Sequence, residues 1–149
     1  MSRLLLLSTA LVIGLVTPAV AQQIPAEQRR EIMRTMSRQA FAPLAGMVKE
    51  STYDKATVER AFAVLAEHAP KLTPLWPANS LSPTTDRFIA SPKVWQNKPD
   101  FDANLTKLIS SVSTLRAQAL EGAPGLKTSL ATLDRTCNGC HETYRERIN

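Results

Sequence analysis

The run Cys137-Asn138-Gly139-Cys140-His141 constrains this chain more than any other part of it. C-x-x-C-H is the attachment spacing of c-type haem: each thiol adds to one porphyrin vinyl group, and the histidine that follows takes one axial position on the iron. On a helix, Cys137 and His141 stand four apart and share a face, while Cys140 lies about 100° round from His141. Two covalent anchors and an iron ligand can therefore meet one flat macrocycle from little more than a single turn. Cys137 and Cys140 are the only cysteines in the sequence. Three other readings compete. A redox dithiol normally opens a helix after a strand, and no strand-like run precedes Cys137. A zinc site needs two further ligands, and His68 is the one other histidine. A plain structural disulfide is the third. The specificity of the motif favours haem over all of them.

The start of the chain fits a secretory leader over residues 1–21. Arg3 is its only charge, Leu4 to Val16 is almost continuously apolar, and Ala19-Val20-Ala21 suits an A-x-A cleavage site. The apolar run is short for a membrane span. Cleavage after Ala21 leaves residues 22–149, one domain with one core. No later segment is apolar enough to cross a bilayer, so the mature protein is expected to be soluble and periplasmic. Export and motif agree, because haem is joined to such thiols outside the cytoplasm. The formal net charge is +5. Losing Arg3 and gaining two haem propionates brings it nearer neutrality. With no basic runs, nucleic-acid binding is not expected. A mild positive balance favours acidic periplasmic redox proteins as partners.

Four helical patterns and no convincing strand follow the leader. The first covers about Pro25 to Lys49, with Pro25 suited to the first helical position and Pro43 expected to kink or divide it. Its stripe is Met33, Met36, Ala40, Leu44 and Met47. The second runs from Asp54, a natural N-cap, to Ala69, burying Val58, Ala61, Phe62, Leu65 and Ala66. Six prolines between Pro70 and Pro99 exclude a long helix there. Ser91-Pro92 can start a short turn carrying Val94 and Trp95. The segment reads as a crossover packed over the bundle by Leu72, Leu75, Trp76, Phe88 and Trp95. The third helix spans about Pro99 to Glu121, stopped by Gly122, with Phe101, Leu105, Leu108, Ile109, Val112, Leu115 and Leu120 inward. The fourth runs from about Pro124 to Arg147 through Leu126, Leu130 and Leu133. The expected fold is all-α: an antiparallel four-helix bundle with a long Pro-rich crossover between helices 2 and 3.

A C-x-x-C-H on the last of four helices resembles the class II c-type cytochromes, the cytochrome c-prime superfamily. Tyr144 and Arg145 match the aromatic residue and arginine that follow the iron histidine there, the arginine close to the haem. Met33-Arg34, Arg38, Tyr53-Asp54 and Ser91-Pro92-Lys93-Val94-Trp95 resemble the low-spin subgroup, of the cytochrome c-556 type. Pro99 departs from the pattern and leaves the start of the third helix open. The resemblance implies one covalent haem c and permits a homodimer through the first two helices.

If the first and last helices lie antiparallel, Met33 and Met36 stand at the height of His141. Met47, 14 residues past Met33, is roughly 21 Å beyond. On residue type alone, a methionine on an apolar stripe is more often core filler. The resemblance makes Met33 the expected distal ligand, with Met36 behind it. His68 reads first as a surface histidine at a helix C-terminus, with bis-histidine ligation as the alternative. Arg30, Arg34 and Arg38 form a solvated face, from which Arg34 or Arg38 could pair with a propionate. Trp95 and Trp76 read first as packing residues, Trp95 also as a candidate contact at the haem edge. With His141 and Met33 both bound, no open iron site remains, so single-electron transfer rather than enzymatic catalysis is expected. The alternative is a high-spin binder of small gases such as NO and CO.

Overall fold

The structure, a computed structural model, describes residues 18–78, 80 and 87–148, with side chains from Pro25 onward. Most of the expected leader lies outside the described residues.

The first long element is helical throughout but not uniform. Helix α1 (Pro18–Thr35) passes into a π-helical stretch at Met36–Phe41 and then into α2 (Ala42–Lys49). Pro25 lies inside α1 rather than at its first position. A proline there removes one helical hydrogen bond, and cleavage after Ala21 would put it in the first turn, where that donor is unpaired anyway. Pro43 has the expected effect, expressed as a rephasing of the helix. It sits in the first turn of α2, where its missing N–H costs least, and the Ala42 N–H reaches back five residues to the Ser37 carbonyl. The widened turn keeps Met36, Ala40, Leu44 and Met47 buried on one side.

Asp54 caps α3 (Lys55–His68): its carboxylate accepts the Thr57 N–H at 2.9 Å. Val58, Ala61, Phe62 and Leu65 are buried, as their spacing indicates; Ala66 is exposed. A 3-10 stretch at Pro70–Leu75 follows, then the short α4 (Lys93–Gln96) behind Pro92. Helix α5 (Lys98–Ala119) takes Pro99 in its first turn, which settles where it starts. It packs along α6 (Ala123–Tyr144) more extensively than any other pair. The joint between them is tight. Helix α5 ends at Ala119 with Leu120 as its C-cap, two residues short of the expected Glu121, and Gly122, at φ +115°, is the N-cap of α6. At Gly125 an added Cβ would lie 2.1 Å from the Gln118 carbonyl oxygen. Gly125→Ala must therefore push the two backbones apart, and we expect it to lower unfolding free energy by about 1–3 kcal/mol in urea titrations.

The C-terminal end of the bundle departs from expectation. The last helix ends at Tyr144, not Arg147, and a strand pair exists. Strand β1 (Phe88–Ala90) runs antiparallel to β2 (Arg145–Arg147), with Phe88 opposite Arg147 and Ala90 opposite Arg145. The Ser91 N–H donates to the Tyr144 carbonyl at 2.9 Å, drawing the chain out of helix and into pairing. Three-residue strands carry no period that a sequence can show. Phe88, expected to pack on the bundle, is 43% exposed instead. Elsewhere in the described part of the crossover, Leu72 and Val94 are fully buried. The architecture is otherwise the expected all-α four-helix bundle. Among the described residues, no helix is long and apolar enough to cross a membrane.

Candidate haem-binding site

One cavity of about 570 Å³ opens between the first helix, the start of α5 and the end of α6. That is within the usual range for a cofactor pocket. Helical spacing sends Cys137, Cys140, His141 and Tyr144 of α6 to its wall together. Met33 and Met36 enter from α1 and the π stretch, and Leu65, Leu105, Leu108 and Leu133 supply apolar lining. Arg34, Arg38 and Arg145 also line it. The structure thus gathers the predicted residues from both ends of the sequence. Trp95 is not among the lining residues; its indole N–H donates to the Pro77 carbonyl at 2.8 Å. His68 is likewise not among them, its Nδ1 lying 3.1 Å from the Val64 carbonyl. Met33 is half-buried on the cavity wall, whereas Met36 is only 7% exposed and belongs to the hydrophobic core.

Burial sets the chemistry of these groups. It pushes the Cys137 thiol up to about 11, with Asp134 and Cys140 adding to the shift, and raises Cys140 too. A working redox dithiol needs the opposite, a lowered thiol pKa. Both cysteines are free, and among the described residues no three potential ligands cluster as zinc would need. Burial, with Arg145 nearby, pushes His141 down to about 4. Its imidazole is therefore neutral at pH 7, with a nitrogen lone pair available to a metal.

Sequence reasoning missed a polar corner of this cavity. Arg29, 4% exposed, donates to the Leu75 carbonyl and to Ser80, whose Oγ is 2.9 Å away. Its guanidinium lies 4.4 Å from the Trp76 ring centre. Burial pulls Arg29 down to about 10, which leaves it charged at neutral pH. Trp76 stacks edge-on against Phe101 at 4.5 Å, and Phe101 against Tyr144 at 5.2 Å. Tyr144 then donates its phenol proton to Asp100, a bond that raises the phenol to about 12. In this polar wall, the Trp76 indole Nε1 is buried and has no hydrogen-bond partner among the described residues. A buried unpaired donor beside a buried cation fits an incoming anion. The carboxylates of a haem supply one, so the residues present fit that group. The signal in the sequence was Arg29 itself, one turn ahead of Met33 on the same helix face.

Comparison with known proteins agrees with this geometry. Residues 25–145 match the family model described as Cytochrome C'. A cytochrome c-555 from Bradyrhizobium diazoefficiens is 29% identical over 99% of both chains. A cytochrome c' from Rhodopseudomonas palustris is 32% identical, over 87% of this chain and 86% of the relative. The solved structure of a cytochrome c' from Rhodopseudomonas palustris superposes with a TM-score of 0.74 at 27% identity, over 84% of this chain and 98% of that one. Relatives named cytochrome c-556 match as well. A cavity floored by C-x-x-C-H inside a four-helix bundle defines a class II c-type cytochrome. The chain belongs to the cytochrome c' family, whose proteins carry covalently bound haem c.

Proposed function

We propose that this protein is a periplasmic single-electron carrier, with haem c bonded to Cys137 and Cys140 and its iron held between His141 and Met33. The carrying observation is that Met33, from the first helix, and His141, from the last, line the same cavity as both cysteines. The haem supplies a one-electron Fe(III)/Fe(II) couple, and Met/His ligation favours its reduced state relative to bis-histidine. The chain's own residues do the rest. His141, neutral at pH 7, offers its lone pair without first losing a proton. Arg29 and Trp76 Nε1 hold carboxylate charge, and the leucine walls exclude water from the iron. With His141 and Met33 both holding the iron, neither substrate nor gas would have an open site, which is the ground for reading the protein as a carrier rather than an enzyme.

A potentiometric titration tests this reading. The expected result is a single reversible one-electron wave, unchanged under carbon monoxide. A wave displaced by carbon monoxide would favour the gas-binding alternative. Trp76→Phe keeps the ring and removes the donor. It leaves more negative charge near the iron, so the potential should fall by on the order of tens of millivolts, the scale of one hydrogen bond.

A further inference from the structure

The rim of the cavity carries a feature that haem retention does not require. Four exposed arginines reach it from separate parts of the chain: Arg34 on α1, Arg38 in the π stretch, Arg87 just ahead of β1, and Arg145 opening β2. Phe88 stands between the last two. It is the one large hydrophobic side chain exposed among the described residues. The Arg145 guanidinium lies 4.7 Å from its ring centre and that of Arg87 5.6 Å. The ribbon beneath is fixed by strand pairing and by Ser91 Oγ donating to the Glu146 carboxylate at 2.6 Å. An aromatic ring held out in water between two cations loses burial it could have had in the core. Aromatic and arginine side chains are also the residues that dominate protein interfaces.

The charge around the opening is one-sided. Asp134 is the only carboxylate among the described lining residues, against six arginines. Even with each haem propionate taking one arginine, positive charge remains in excess. Such a field speeds encounter with anionic partners and orients them. We propose that the Phe88 ribbon and its flanking arginines form the docking face for an acidic redox protein. The partner's carboxylates pair with Arg87 and Arg145 while an apolar spot on it seats Phe88. Docking there brings the partner to the cavity mouth, and so to the haem edge. This rests on the haem-carrier reading above and adds to it where the electron enters and the charge of its donor.

Stopped-flow reduction of the haem-loaded protein tests the proposal, with a reduced flavodoxin of strongly negative charge as the donor. The rate constant should fall at least tenfold between about 20 and about 200 mM salt. Arg87→Glu with Arg145→Glu should lower the low-salt rate about tenfold. Arg116→Glu with Lys127→Glu makes the same charge change away from the cavity and should alter it less than about twofold. Phe88→Ser should slow the high-salt reaction about threefold. Haem absorbance checks each variant, and Arg87→Gln with Arg145→Gln replaces the reversal if that pair loses haem. Colourless wild-type protein would end the carrier reading and this one with it. Coloured protein whose reduction slows equally with both charge-reversed pairs, or with neither, overturns the docking face alone.

Discussion

Met33→Ala should turn the iron from low-spin to high-spin and open it to carbon monoxide, with near-complete conversion. The side chain is half-buried on the cavity wall, packed against the edge of the hydrophobic core. Its truncation removes the sulfur, and the remaining thioether on that face, Met36, is held in the core cluster. Met36 provides the contrast. It also reaches the cavity, yet it is 7% exposed and packs into the core cluster. Met36→Ala should leave the iron low-spin and destabilise the fold by about 2–5 kcal/mol, the usual cost of a buried Met truncation. Optical spectra separate the two substitutions, and urea denaturation ranks their costs in the reverse order. A spectrum changed by Met36→Ala and untouched by Met33→Ala would exchange their roles.

Replacing Cys137 and Cys140 together with serine should abolish covalent attachment. Acid–acetone extraction would then remove all colour, where the parent protein keeps it. Each single serine variant should retain haem through one thioether. Serine keeps the size of the side chain and removes the nucleophilic sulfur, so the loss reports chemistry rather than packing. Because burial raises both thiols, neither is a thiolate at neutral pH. Haem that still resists extraction from the double variant would show that attachment lies elsewhere.

The legible parts of this molecule are those set by local pattern. The stripe Val58, Ala61, Phe62 and Leu65 announces the buried face of α3, and Asp54 its start. Cys137, Cys140 and His141 announce the site because a fixed chemistry demands a fixed spacing. What stayed hidden depends on distant parts of the chain meeting. Arg29 is buried only because the crossover folds back to give it the Leu75 carbonyl and Ser80, which lie 46 and 51 residues on. The ribbon joins Phe88 to Arg147 across the whole of α5 and α6. Trp76 read as packing, which its stack on Phe101 is, but its indole nitrogen, without a partner among the described residues, appears only once its surroundings are in place. Pro43 shows an intermediate case. The proline signalled a disturbance, while its form, a π-helical stretch keeping Met36 and Leu44 buried, depended on packing.

The most direct single measurement is the absorption spectrum of the dithionite-reduced protein before and after carbon monoxide. Iron held by both His141 and Met33 gives sharp low-spin bands that the gas leaves unchanged. A broad high-spin spectrum that shifts on adding carbon monoxide would contradict Met33 ligation, and with it the electron-carrier reading.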